Sequence, residues 1–450
     1  MAHFTIIAPP FTSHVRALVA LAGGLLDKGH RISWLHQADV QPLLGDKRIE
    51  FRALGALSHP AGSLARTVAR AACPGGPLGR RRGLADVAAS TDMLCREAPA
   101  LLRALGSDAV IADQMEAAGG LVASGLGLPF MSVACALPVN REPRLPLPVM
   151  PWAYAADARG EQLNEGSARV HDWLMQPHAR VIARHARAFG IGPRSTLADC
   201  LSPLVQISQA TASFDFPRIR RPAHFHAVGP LRPPLQHEPA LSLPVDDARP
   251  FVFASLGTLQ GGRFGLFKRI ARACRTLDAQ LLLAHCDCLN AGQAEALRHA
   301  GATWVTGFAP QRAALARADA AISHAGLNTV LDALAAGTPV LALPIAFDQP
   351  GVAARLVQAG AGLRLQPALA SAARIEKSLR RLLDEPAFAE RARLLGADVA
   401  ASGGVPRAVG LIEAALVSAA RCRPSFASEK EPAYGAPTAA AAQAARRQHA

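Results

Sequence analysis

The apolar positions change period along the first forty residues. Phe4 to Pro10 (FTIIAPP) is a short β-rich run closed by two prolines. Beyond Ser13 the residues Val15, Leu18, Leu21 or Ala22, Leu25 and Leu26 fall at helical spacing, and Lys28-Gly29-His30 is a helix stop. RISWLHQ (31–37) then reads as a second strand, which predicts a βαβ unit and so a parallel sheet. In such sheets functional groups gather at the carboxyl ends of strands, here the loop Pro9 to His14.

The same grammar continues. A helix is predicted around 90–105, a strand DAVIAD ending at Asp113, and a helix–strand pair in EAAGGLVASGLGLPFMSVA. The proline-rich stretch 137–150 is unsuited to a sheet interior and reads as an extended loop beside a substrate cleft. Prolines, acids and small residues replace the periodic pattern over 232–250, and a new strand, FVFASLG, starts at Phe251. Strands QLLLAHC, ATWVTGF, AAISHAG and PVLALPI follow with helices between and after them. The prediction is an α/β protein of two Rossmann-like domains, 1–235 and 251–420, joined by a linker over 236–250. The tail 421–450, rich in Ala, Pro and Gln, carries no amphipathic pattern and is expected to be disordered.

Composition narrows the function classes. Half of the 450 residues are hydrophobic and 18% charged, which suits two full cores and excludes a disulfide-stapled miniprotein. Eight cysteines show no CxxC pair or regular framework, as expected where thiols stay reduced. The opening residues lack a basic segment followed by a long apolar one, and no apolar run reaches the ~18–20 residues of a membrane span, so a cytoplasmic protein is expected. A formal charge of +14 invites an anionic partner. With only 5% aromatic residues, dispersed basic groups and no recognisable reader motif, nucleic acid is not that partner.

The segment 308–349, FAPQRAALARADAAISHAGLNTVLDALAAGTPVLALPIAFDQ, carries the most chemistry. Strand AAIS runs into His324-Ala325-Gly326, where glycine permits a tight turn, and a helix begins near Asn328. A helix start offers free N–H groups and a positive dipole end to phosphate. Asn328 and Thr329 add side-chain donors there, and His324 can bond or neutralise a phosphate oxygen. Asp332, one turn on, can accept from ribose hydroxyls, Phe308 can stack on a base, and Asp348-Gln349 can hold sugar hydroxyls. Taken singly, each also fits a plain turn, cap or polar loop; as an ordered set they suit a nucleotide sugar. In the first domain, His14 at a helix start is expected to stay a neutral base, with Asp113 from a neighbouring strand end orienting it.

Taken whole, this segment resembles the signature of family 1 nucleotide-sugar-dependent glycosyltransferases, with its W-A-P-Q start, H-C-G-x-N-S turn, following acid and D-Q end. The resemblance implies a GT-B fold, with Phe308 and Gln311 at the uracil, His324, Gly326, Asn328 and Thr329 at the diphosphate, Asp332 at the ribose and Asp348 with Gln349 at the transferred sugar. It assigns Ser255 and Thr258, in SLGT, to phosphate or to holding the cleft, and His14 and Asp113 to catalysis. It implies inversion without a metal or other cofactor. Phe308, Ala325, Leu327, Thr329 and Asp332 depart from the usual residue types. Segments such as FTIIAPPFTSHVRALVALAG, VIADQMEAAG and PFMSVACALPVNREP resemble the carotenoid-glucosylating branch, over about residues 1–415. That implies UDP-glucose as donor, a hydrophobic carotenoid alcohol as acceptor, and peripheral contact with a membrane, for which Arg80-Arg81-Arg82 in a Pro/Gly-rich loop are the expected residues. Other expectations are a macrolide or sterol acceptor, or a sugar-nucleotide epimerase on the same fold.

Overall fold

The computed structural model describes residues 1–234 and 238–422. The first lobe comprises β1 (His3–Ile7), α1 (Thr12–Asp27), β2 (Arg31–Gln37), α2 (Gln41–Leu44), β3 (Glu50–Leu54), α3 (Ser63–Ala72), α4 (Pro77–Leu105), β4 (Ala109–Asp113), α5 (Ala117–Gly125), β5 (Phe130–Ala134), α6 (Ala158–Leu174), α7 (Gln176–Ala188), β6 (Val205–Ser208) and β7 (Phe225–Ala227). The second comprises β8 (Phe251–Ser255), α8 (Gly257–Gln260), α9 (Phe264–Thr276), β9 (Gln280–Ala284), α10 (Ala291–Ala300), β10 (Trp304–Thr306), α11 (Gln311–Arg317), β11 (Ala320–Ser323), α12 (Leu327–Ala335), β12 (Val340–Ala342), α13 (Gln349–Gln358), β13 (Gly362–Arg364), α14 (Ala372–Asp384), α15 (Pro386–Ala401) and α16 (Gly404–Cys422).

Two parallel sheets result, as the alternating pattern predicts. Their orders are β3-β2-β1-β4-β5-β6-β7 and β10-β9-β8-β11-β12-β13. The central strands β1, β4, β8 and β9 are buried at every position, because helices cover both faces of a parallel sheet. Each sheet reverses its strand order once. In the first the reversal lies between β1 and β4, where Ile7 pairs with Ala112; in the second it lies between β8 and β11, where Ser255 pairs with Ser323. Crevices form at such switch points, beyond the carboxyl ends of the strands. These ends lead directly to His14, Asp113, Ser255 and His324.

Several expectations change. Arg80 to Arg82 lie in the opening turns of α4 rather than in a loop, because Pro77 starts a 29-residue helix that reaches back well before residue 90. The last helix leaves the second lobe: α16 packs on α1, with Ala408, Val409 and Ile412 in the core under β1 and β2, so the unit 251–420 loses its final segment to the first lobe. The run Pro386–Arg421 is long and apolar enough for a membrane span, with mean hydropathy 1.2, although the sequence pattern suggested no such stretch. It is interrupted after Ala401, and its halves pack on α12 and α1. The tail beyond residue 422, expected to be disordered, lies outside the described residues, as do 236 and 237 of the expected linker.

Candidate active site

The carboxyl ends of the two sheets face one cleft of ≈ 2850 Å³, lined by residues of both lobes. His14 enters it from the first turn of α1. Its Nδ1 lies 2.8 Å from Oδ2 of Asp113, whose other oxygen accepts from the Met115 backbone N–H at 2.8 Å. Asp113 itself is fully enclosed behind the ring. A carboxylate only accepts, so Nδ1 carries the proton and the neutral ring leaves Nε2 free as an acceptor.

The electrostatics correct one expectation. Burial by itself lowers the His14 pKa, yet the charges of Asp113 and Asp348 outweigh it and hold the group above its ordinary value. The carboxylates, rather than the helix start, set its basicity. Asp348 comes from the opposite lobe: its Oδ2 accepts from the Leu137 backbone N–H at 3.0 Å, and burial pushes its pKa up. The neighbouring Phe347 packs 6.2 Å from Phe11, closing the lobes around His14. Gln349 turns its carbonyl oxygen back on the N–H groups of Ile345 and Ala346, both at 2.8 Å, which leaves its amide N–H₂ for an incoming hydroxyl.

On the other wall, no side chain caps α12, so its first-turn N–H groups are open to the cleft. His324 stands beside that turn. Burial pushes its pKa down to about 4, so the ring is neutral and can offer hydrogen bonds there, but not, as the sequence allowed, neutralise a charge. Its ring explains two glycines. A Cβ on Gly257 would lie 2.6 Å from His324 Cε1, and one on Gly326 2.5 Å from Nε2. The left-handed residue of the turn is Ala325, at φ +63°, so Gly326 is needed for space and not for its backbone angle. Ser255 braces the loop by accepting from the Gly257 N–H at 3.3 Å, and Thr258 lines the cleft from α8.

The remaining predicted residues form a chain. Thr329 Oγ1 donates to Gln311 Oε1 at 3.4 Å, and Gln311 Nε2 donates to Asp332 Oδ2 at 2.7 Å. Asp332 Oδ1 accepts from Arg232 at 2.9 Å. Asn328 spans the lobes, donating to the Ser13 carbonyl at 3.1 Å and accepting from Gln209 at 3.0 Å. Phe308, 52% exposed, stands at the rim of the cleft. Every predicted residue except Asp113 lines this one cleft, and Asp113 is directly behind His14.

Sequence reasoning missed Arg232 and Gln209. Arg232 bonds Asp332, Gln209 Oε1 and the carbonyls of Leu231 and Asn328, and so holds the start of α12 against the first lobe. The only signal was a basic residue where the periodic pattern stops. Also unforeseen is a polar patch in the first lobe's part of the cleft: Glu116, pushed up to about 7 by burial, accepts from Thr91 at 2.7 Å, and Thr91 meets His178 at 3.0 Å.

Residues 270–414 match the family model described as Erythromycin biosynthesis protein CIII-like, C-terminal domain. The chain is 48% identical to the zeaxanthin glucosyltransferase of Pantoea ananas, over 92% of this chain and 96% of that one. It is 47% identical to the zeaxanthin glucosyltransferase of Pseudescherichia vulneris, over 92% and 98%. The solved glycotransferase of kitacinnamycin shares the fold, with TM-score 0.71 at 20% identity over 92% of this chain and 98% of that one. The two-sheet arrangement is thus of the GT-B type, and nothing in these likenesses supports an epimerase.

Proposed function

As this chain belongs to the glycosyltransferase family of the bacterial zeaxanthin glucosyltransferases, we propose that it transfers glucose from UDP-glucose to the hydroxyl groups of zeaxanthin, giving zeaxanthin glucosides. The observation that carries this reading is the His14–Asp113 pair, 2.8 Å apart, facing the uncapped start of α12 across one cleft.

The chemistry follows from that arrangement. The acceptor hydroxyl gives its proton to His14 Nε2 as its oxygen bonds the anomeric carbon. The bond from that carbon to the diphosphate breaks, and its electron pair leaves with UDP. Asp113 keeps Nδ1–H in place and stabilises the imidazolium that forms. A single displacement inverts the anomeric centre. Asp348 and Gln349 hold the glucose hydroxyls, Phe308 and Gln311 the uracil, and Asp332 the ribose. The leaving charge is met by the first-turn N–H groups of α12, by Asn328 and Thr329, and by a hydrogen bond from neutral His324. This leaves no step for a metal.

The acceptor is a membrane lipid in this reading, so the protein works from the cytoplasmic side as a peripheral visitor. What supports the contact is the exposure of Arg80, Arg81 and Arg82 beside Leu78 and, at the cleft, of Trp173 (67%) and Leu174 (50%). Cationic groups attract anionic headgroups, and tryptophan favours the interfacial zone.

The test is incubation of the purified protein with UDP-glucose and zeaxanthin in detergent micelles, with mass analysis of the carotenoid. A gain of one or two hexoses is expected. No gain, with UDP-glucose still raising the melting temperature, would send the acceptor assignment to another hydrophobic alcohol such as a macrolide or sterol.

A further inference from the structure

One buried thiol beside the proposed base has no part in the transfer. Cys135 follows β5 directly and lines the cleft, although it is 3% exposed. Its Sγ, a ring nitrogen of His14 and a carboxylate oxygen of Asp113 all lie within 4.8 Å of one another. Asp113 and Cys135 stand at the carboxyl ends of the neighbouring strands β4 and β5, and His14 in the first turn of α1, which follows their neighbour β1, so the sheet and its first helix bring them together. Among the described residues this is the one group of three His, Cys, Asp or Glu side chains so arranged. The carboxylate of Asp348 adds negative charge from the facing lobe.

The geometry points to a binding site for a thiophilic divalent cation, of the Zn²⁺ class, formed by His14 Nδ1, Asp113 and Cys135, whose occupation switches the enzyme off. One thiolate, one imidazole and one carboxylate form a donor set that suits Zn²⁺ or Co²⁺ and not Mg²⁺ or Ca²⁺. Ligand atoms at 2.0–2.3 Å from a tetrahedral ion sit roughly 3.3–3.8 Å apart. The pair now at 2.8 Å must open slightly, and the sulfur, within 4.8 Å of both partners, is in reach of the same ion. His14 and Cys135 both line the cleft, which is the route of entry.

Binding forms the Cys135 Sγ–metal bond and releases the thiol proton to solvent. The metal takes the lone pair of Nδ1, so the proton of the neutral ring passes to Nε2. That is the nitrogen which accepts the proton of the sugar acceptor, and Asp113 is withdrawn from it at the same time. Inhibition therefore rests on the reading of His14 as base, whereas binding does not.

The experiment titrates the purified full chain with Co²⁺ and follows the thiolate-to-cobalt absorption band, then measures hexose transfer with and without Zn²⁺. One Co²⁺ per chain is expected, with the band lost in C135S and in C135A and kept in C288S. Transfer by the wild type should fall with Zn²⁺ and return with EDTA. C135S should need at least about 10-fold more Zn²⁺ for the same fractional loss. Folding of each variant is read from its thermal shift with UDP. Absence of the band in the wild type, or an unchanged band in both Cys135 variants, overturns the site. A band that behaves as expected while the loaded enzyme still transfers sugar supports the site and contradicts the role given to His14.

Discussion

The side-chain amide of Asn328 donates to the carbonyl of Ser13 at 3.1 Å, tying the first turn of the donor-side helix to the residue immediately before His14. Gln209 bonds the other end of the same amide. The group proposed to meet the diphosphate and the group proposed to take the proton are thus positioned through one side chain.

Replacement N328A should therefore lower kcat/KM for UDP-glucose by about 10–100-fold, the equivalent of one hydrogen bond to a charged group at ~1.5–3 kcal/mol. Initial rates at varied donor give the value. A change within about 2-fold would mean that the link does not matter to donor use.

The pH profile follows from the direction of the His14 shift. Its pKa is raised above the ordinary 6.5 because Asp113 and Asp348 outweigh burial. The ring is protonated and idle below that raised value, so kcat/KM should rise with pH through an apparent pKa above 6.5. D113N removes the main raising charge, so its acidic limb should move to lower pH, while the plateau falls by about 10²–10⁴-fold. A limb that stays in place or moves upward in D113N would contradict the pairing.

The lobes are also joined away from the reaction. Arg355, 2% exposed on α13, bonds Asp215 of the first lobe at 2.7 Å, and Arg218 bonds the same carboxylate at 2.6 Å. Its guanidinium stacks 4.1 Å from the Phe216 ring centre. Removing Arg355 leaves buried Asp215 with Arg218 as its remaining ion-pair partner, so R355A should lose about 1.5–3 kcal/mol in urea unfolding, the worth of one hydrogen bond to a charged group. Burial raises the Asp215 pKa, but the two arginines overcome it and hold it below the ordinary 3.8. This stabilisation is present above about 3.8 and lost as pH falls through the lower folded value. In R355A that acid-side loss should shrink.

For the membrane contact, changing Arg80, Arg81 and Arg82 to Gln should reduce flotation with anionic vesicles several-fold at low salt, with the loss fading as salt rises. Transfer to a water-soluble alcohol should stay the same. Unchanged flotation would remove these residues from the contact.

The two-sheet fold was legible because its central strands are short, continuous apolar runs separated by helices of clear period. His14, Asp113 and His324 were legible as the first titratable residues at or beyond strand ends. The short edge strands β3, β7 and β13 escaped, since three to five residues with one exposed face carry little periodic signal. The helices α6 and α7 escaped behind a proline-rich loop. Arg232 and Gln209 were invisible for a different reason. Each acts by reaching across to the other lobe, and no spacing along the chain encodes which residues two separately folded sheets bring together. Local pattern also misassigned α16, whose apolar face is matched by α1, almost four hundred residues earlier.

The central claim is that His14 takes the acceptor's proton in a cleft that binds the donor independently. A single-turnover measurement of hexose transfer from UDP-glucose to zeaxanthin, in wild type and H14A, tests it most directly when UDP-glucose affinity is measured on the same samples. The account predicts that H14A binds the donor within about 3-fold of the wild type and transfers at least about 10²-fold more slowly. Transfer by H14A at a rate near that of the wild type would contradict it.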